Sequence, residues 1–392
     1  MALGQVVAQL KRDIGLALSG GGFRAAAFHL GCLRALDDRG LLPRVRVISG
    51  VSGGALLSAL YAYGPANFRE FDERATELLR NGLQLSITRQ FLMTRRALEA
   101  GLGVALRPAD AAISLAQRLL APNGPKRQRA ALGQTGLQRV PRVNVTTAFA
   151  DVLAERFFGT KSMPMVTHDG LDVVLTACDL WTGSAVRFGS RTSACSRIGE
   201  ILDDVTVASA VAASAAYPAL LPSLEQRYRF RDRAGRELEQ LLLLTDGGVY
   251  DNLGLSVLEL GRDERYTRHV YDVDYVVACD AGQGRLAPAL PRVWPTRMMR
   301  VVSVMHGRAQ NRQRALLYAA RSSGNLSGFV HAYLGMEDRF LPVPLPDLVP
   351  REAVAQYPTN FRAVSAEGLY NLTIRGEQLA RILLAHYCPS LT

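Results

Sequence analysis

Three short segments hold side chains and turns suited to nucleophilic chemistry. Gly50-Val51-Ser52-Gly53-Gly54 is a G-x-S-x-G set between a strand-like and a helix-like run. So sharp a turn excludes bulky neighbours, so Gly50 and Gly53 read as a nucleophile elbow that lifts the Ser52 hydroxyl to the sheet edge. The helix behind it aims its positive end at the serine and favours a developing alkoxide. Ser19-Gly20-Gly21-Gly22-Phe23-Arg24 is a second glycine turn, also between strand and helix. Consecutive glycines let backbone N–H groups point at an anion. A phosphate loop would end in Gly-Lys-Ser/Thr, and a dinucleotide fingerprint would keep G-x-G-x-x-G; Phe23 and Arg24 break both patterns. Gly20, Gly21 and Gly22 are therefore read as an oxyanion hole, with the N–H groups of Gly21 and Gly22 as donors. Losing one such donor typically costs about 2.7–4 kcal/mol of barrier. The third segment, LLLLTDGG at 241–248, carries Asp246 on an apolar strand to a glycine turn, where its carboxylate can reach a serine from another strand end.

Arg24 places a cation near a helix N-terminus, which is mildly unfavourable. Two compensations stay open: a substrate phosphate or a salt bridge to a nearby carboxylate. Asp280, ending YVVACD, is the main rival to Asp246, and the glycine pair after Asp246 favours the latter. His29 and His386 read as packed helix residues, and Asp179 as a turn residue. Three Asn-x-Ser/Thr sites, at Asn144, Asn325 and Asn371, matter only in a secreted eukaryotic protein.

The elements that must position these groups follow from periodicity and turn residues. Ile14–Leu18 and Val45–Ile48 are strand candidates. FRAAAFHLGCLRALDDRG, ended by Gly40, and ALLSALYAYGP, stopped by Gly64 and Pro65, are helix candidates. Strand-like runs return at 143–148, 172–178, 241–245 and 274–280, and VASAVAASAA at 207–216 reads as a small-residue helix. Strand-helix alternation implies a central, mainly parallel sheet with helices on its faces, an α/β three-layer sandwich. The whole chain, 1–392, is read as one domain. Segment 66–140 is helical in pattern and reads as a cap or insertion within it. Its most amphipathic part, 101–120, either packs on the core or faces a membrane.

Together the three segments are more specific than any one of them. Gly-Gly-Gly-x-Arg, then G-x-S-x-G, then a distant Asp-Gly-Gly resembles the ordered pattern of the patatin-like acyl hydrolases. TACDLWTGSAVRFGS at 176–190, VASAVAASAAYPALLPSL at 207–224 and DGGVYDNLGL look like later parts of that family. SGGGFRA is also similar to the cytosolic phospholipases that share the design. The resemblance covers 13–64 and 172–285, and YPTNFRAVSAEGLYNLTIRGEQLARILL resembles a family tail; 66–140 shows none. It implies a patatin-like fold and a Ser–Asp dyad, carried here onto Ser52 and Asp246. Asp246 would take the serine proton directly and an acyl-enzyme would form on Ser52. A half-buried site that raises the aspartate above its usual ~3.9 would make it a better base near neutrality.

The dyad chemistry requires no cofactor. With no Cys-x-x-Cys pair, no His-Glu-x-x-His and six scattered histidines, no catalytic metal is expected. The five cysteines, an odd number in apolar surroundings, read as buried thiols of a reducing compartment. No uninterrupted apolar stretch reaches membrane-spanning length. The start, MALGQVVAQLKRD, does not read as a secretion signal. The net charge of +11 is carried almost wholly by arginine, since only Lys11, Lys126 and Lys161 are lysines. It suits either an anionic partner or a solvated surface. The basic cluster 125–142 lacks the interleaved aromatics of a nucleic-acid binder, so nucleic acid is not an expected partner. The expected partner is a phospholipid membrane surface carrying the substrate, met peripherally from the cytoplasm; a protein activator and the oligomeric state are left open. Two other functions stay in play: a Ser–His–Asp esterase on small soluble esters, and an idle lipid-binding or scaffold protein.

Overall fold

Burial alternates along the central strands, and both sides of the alternation are covered. Ile14, Leu16, Leu18, Val173, Leu175, Val277 and Cys279 face one core, whereas Ala17, Val47, Val174, Val276 and Ala278 face another. A sheet apolar on both faces needs a layer on each side, and this sets the architecture. The computed structural model describes residues 13–93, 144–218, 220–284 and 293–391. Its strands are β1 (Ile14–Leu18), β2 (Val45–Gly50), β3 (Asp172–Asp179), β4 (Ser184–Gly189) and β5 (Ser193–Cys195). They continue with β6 (Gly199–Ile201), β7 (Leu224–Arg231), β8 (Glu237–Asp246), β9 (Tyr275–Asp280) and β10 (Gly328–Tyr333).

All ten strands belong to one sheet, in the order β10-β9-β1-β2-β3-β4-β5-β6-β7-β8, with β8 also pairing back on β3. The run from β10 to β3 is parallel, and everything from β4 onward pairs antiparallel. The helices are α1 (Gly22–Asp37), α2 (Gly53–Tyr63), α3 (Phe68–Asn81), α4 (Gln84–Met93), α5 (Val145–Leu153), α6 (Val207–Ser214), α7 (Trp294–Ser322) and α8 (Ala366–Tyr387). Residues of α1, α2, α3, α5, α6 and α8 build the larger core on one face. The segment 253–273 and Leu317 of α7 close the other. The molecule is thus a three-layer α/β sandwich. A fully buried Leu, Ile or Phe in these cores contributes about 1.5–3 kcal/mol relative to exposure. Helices α1 and α8 meet backbone to backbone: a Cβ on Gly31 would lie 1.8 Å from the Thr373 carbonyl oxygen.

One expectation is overturned. Of the run 143–148, the described residues 144–148 are not a strand; Val145–Leu153 is helical. Asn144 accepts hydrogen bonds from the N–H groups of Thr146 (2.8 Å) and Thr147 (3.3 Å), and the Thr147 hydroxyl accepts from Asn144 N–H (2.9 Å). This reciprocal cap outweighs the strand preference of the β-branched run. In the 66–140 segment, α3 is capped by Asn67 and buries Phe71, Leu78 and Leu79 in the main core. Residues 94–143 lie outside the described residues, and with them the 101–120 stretch and the basic cluster 125–142. No described helix is long and apolar enough to cross a membrane.

Candidate active site

The site is made where two strands meet end to end. One edge of β3 is taken by β4 along Val174–Asp179. The other edge is shared: β2 pairs with it from Asp172 to Leu175 and stops, and β8 arrives antiparallel to pair with Ala177–Asp179. The last residue of β2, Gly50, therefore points at the last residue of β8, Asp246. The turn that leaves β2 carries Ser52 into the gap. The Ser52 hydroxyl faces the Asp246 carboxylate closely enough to favour its anion. Two residues far apart in sequence are thus joined by the register of a single strand.

Ser52 has φ 53° and ψ −118°, and it is the one non-glycine at positive φ among the described residues. A side chain held in that region is strained by about 1–3 kcal/mol and persists only where the surroundings fix it. They do so on two sides. Val51 N–H donates to the Leu18 carbonyl (3.1 Å). Ser52 N–H donates to Ser214 Oγ (3.0 Å), whose own hydroxyl donates to the Thr176 carbonyl of β3 (2.7 Å). A Cβ on Gly53 would stand 2.0 Å from the Gly22 carbonyl oxygen, so the elbow and the first glycine turn fit only without side chains. The first N–H groups of α2 have no intrahelical acceptor and surround the serine with partial positive charge.

Ser52 and Asp246 are 6% and 4% exposed. Burial pushes the Asp246 carboxyl up to about 6, against the pull of the Gly248 N–H and the Ser52 hydroxyl, which favour the anion. The Gly248 N–H bond is 2.7 Å long.

The glycine turn at 20–22 divides its labour. Gly20 N–H donates to the Asn252 carbonyl (2.9 Å), so it is spent on shape. Gly21, the N-cap of α1, and Gly22, its first residue, keep N–H groups without an intrahelical acceptor. The side-chain oxygen of Asn252 wedges between the two glycine turns: a Cβ on Gly20 would lie 2.4 Å from it, and one on Gly248 2.7 Å. Arg24 is buried. Its Nε donates to the Ala281 carbonyl (3.2 Å) and its Nη1 to the Tyr357 carbonyl (3.0 Å). Nη2 lies against Gly21, 3.2 Å from where a Cβ there would be. Burial pulls the Arg24 guanidinium down to about 10, although the charge of Asp280 opposes this. Among the described residues Arg24 makes no ion pair, so backbone carbonyls supply the compensation that a carboxylate or phosphate was expected to give.

The other candidates fall elsewhere. Asp280 is paired with Arg314 (2.7 Å) and His331 (3.0 Å). Asp179 accepts from Thr182 N–H (2.9 Å) and Leu243 N–H (2.9 Å), which makes it a turn residue. His29 is fully buried, 3.5 Å from Ser19 Oγ, and burial pulls it down to about 3. His168 contacts the Tyr61 carbonyl and His269 the Thr192 carbonyl. His386 lines a cavity of ≈ 730 Å³ along α8, with Val343, Tyr370 and Arg381. Among the described residues no histidine has a hydrogen bond to Ser52. Ser214 and Asn252 were not singled out from sequence. Their only signals were a serine closing a small-residue helix and an asparagine six residues after Asp246.

The profile of the family described as patatin-like phospholipase matches residues 16–258, more than half of the chain, taking in all three segments. Comparison with curated proteins gave no match. Among solved structures, human GIVD cytosolic phospholipase A2 with methyl gamma-linolenyl fluorophosphonate is similar over 95% of this chain and 57% of its own, at 13% identity and a TM-score of 0.49. VipD from Legionella pneumophila is similar over 96% of this chain and 67% of its own, at 15% identity and a TM-score of 0.37. The type III effector ExoU, from Pseudomonas aeruginosa, is similar over 95% and 52%, at 16% identity and a TM-score of 0.34. The chain spans little more than half the length of the human enzyme and of ExoU.

Proposed function

The chain belongs to the patatin-like phospholipase family, and we propose that it cleaves carboxylic ester bonds of phospholipids or lysophospholipids through an acyl-enzyme on Ser52. One observation carries this reading: the turn that holds Ser52 strained at positive φ sets its hydroxyl beside a buried carboxylate pushed up to about 6. Such a carboxylate is a stronger base than an ordinary aspartate and is still ionised at neutral pH. In the proposed step Ser52 Oγ bonds to the ester carbonyl carbon while its proton passes to Asp246. The carbonyl electron pair moves onto oxygen, which accepts N–H bonds from Gly21 and Gly22, with Gly53 as a further donor. Collapse breaks the ester C–O bond. The leaving alcohol recovers the proton from Asp246; water, deprotonated in turn by Asp246, then releases the fatty acid, and Asp246 returns that proton to Ser52 Oγ. Neither half needs a cofactor.

Arg24 has a supporting place in this scheme, bracing the turn at Gly21 rather than meeting a substrate phosphate. A lipid substrate suits the surroundings. Leu180, Trp181, Tyr217, Leu220, Val249 and Tyr250 are all exposed on the segments bracketing Asp246 and the end of β3. The test is incubation with mixed phospholipid liposomes and measurement of free fatty acid. Release is expected from the native protein and not from Ser52→Ala, with both giving the same circular dichroism. Full release by Ser52→Ala would remove the mechanism.

A further inference from the structure

Helix α7 buries a single residue, Leu317, among its described side chains, and its direction is fixed. Its C-terminal end leads into β10, where Ser327 N–H donates to the Asp274 carbonyl at the start of β9. From there the helix runs back along the sheet. Leu317 is buried in the second core, Arg314 pairs with Asp280 at the end of β9, and Gln313 donates to Asp251 (2.8 Å) in the loop after Asp246. The part from Trp294 to Arg312 extends from that contact away from β10, with His306 still within electrostatic reach of Asp251. At 1.5 Å per residue it is about 28 Å long.

That projecting part is two-sided. Ser303, His306 and Gln310 are half-buried on the inward side. On the outward side Trp294, Met298, Val301 and Met305, spaced for one helix face, are 69%, 43%, 50% and 66% exposed. Val302 and Val304 widen the stripe, and Arg308 and Arg312 extend it. Arg297 and Arg300 flank it, and α7 contains no aspartate or glutamate at all. An exposed apolar stripe of this size is more than an isolated surface residue and marks an interaction face. Its chemistry selects the occupant. A second copy of this chain would set arginine against arginine. Anionic headgroups, in contrast, satisfy the guanidinium groups while the apolar stripe enters the acyl boundary, with Trp294 at the level of the interface.

We propose that the projecting part of α7, residues 294–312, lies on an anionic phospholipid surface and brings the protein to it. That this posture turns the mouth of the site toward the lipid rests on the reading of Ser52 and Asp246 above; the binding itself does not. The test uses full-length Ser52→Ala, so that lipid is not consumed. It measures co-sedimentation with vesicles of phosphatidylcholine alone and of phosphatidylcholine with 30% phosphatidylserine. The variants, each in that background, are Met298→Glu with Met305→Glu, and Arg297→Gln with Arg300→Gln and Arg308→Gln. Circular dichroism verifies that each is folded. Binding to the anionic vesicles should exceed binding to neutral ones by at least tenfold, and each variant should lose at least tenfold. Equal binding to both vesicles, no binding, or variants that bind like the parent would overturn the proposal. So would a dimer in solution that Met298→Glu with Met305→Glu dissociates. A water-soluble short ester separates the two ideas. If the serine-intact protein fails on it while anionic vesicles are still bound, the site reading falls and the docking helix stands.

Discussion

Among the strands that end in a buried aspartate, β8 and β9 share the same turn after it, yet their two carboxylates are shifted in opposite directions. Asp246 closes β8 and accepts the Gly248 N–H at 2.7 Å; Asp280 closes β9 and accepts the Gly282 N–H at 2.8 Å. Both are almost fully buried. Beyond that shared turn, Asp246 has the neutral hydroxyl of Ser52, so burial dominates and its pKa rises to about 6. Burial would raise Asp280 too. There the hydrogen bonds and charges of His331 and Arg314 outweigh it and hold the carboxyl well below the usual carboxylate range. The strand and its turn deliver a carboxylate; the partner brought by the rest of the fold decides whether that carboxylate can take a proton.

The sharpest test of the contrast is to neutralise each carboxylate. Asp246→Asn should lower ester turnover about 10²–10⁴-fold, the usual contribution of a positioned base. Asp280→Asn should leave turnover per folded molecule within a few fold. Equal losses in steady-state assays would erase the distinction. The stability effects should reverse. Asp280→Asn leaves Arg314 facing a neutral group and should cost about 3–5 kcal/mol in urea unfolding, as breaking a buried pair does. A loss below 1 kcal/mol would mean that this pair is not what holds the carboxylate ionised.

The rate profile comes next. Because the base must be ionised, kcat/KM should rise about tenfold per pH unit below pH 6 and level off above it. A profile flat from pH 4 to 8 would assign the proton to another group. The smallest effect is on stability. The folded-state pKa of Asp246 lies above its unfolded value, so the native state carries a penalty. That penalty is absent below about pH 4 and complete above about pH 6. Asp246→Asn should therefore stabilise the fold by up to about 2–3 kcal/mol at pH 7.5 and by nothing at pH 4. The Asp280 contribution has the opposite sign, present at neutral pH and lost as pH falls through the carboxylate range. Thermal melts across pH would show whether the two variants diverge in this way.

This contrast also explains what was legible in the sequence. The glycine turns, Ser52 and Asp246 stand in local patterns whose spacing is itself the signal. The strand-turn-helix units around Ile14–Asp37 and Val45–Tyr63 followed from the same patterns. Asp280 could be ranked below Asp246 only by its neighbours in sequence, because Arg314 and His331 come from elements that no local pattern connects to it. Ser214 was hidden for the same reason: its value lies in touching both Ser52 and Thr176. The β-branched run at 143–148 misled because one side chain, Asn144, caps a helix there. The stripe of α7 was passed over because its apolar residues alternate with arginines and raise no uniform hydrophobic run.

The shared edge of β3 has a consequence for the order in which the protein matures. A chain emerging from its N-terminus presents Ser52 early, with β1 and β2 already able to pair. The carboxylate arrives only with β8, which can dock only where β2 has ended. Until that late strand closes onto β3, the serine has no proton acceptor. Newly made chains should therefore be inert toward lipid until the sheet is nearly complete.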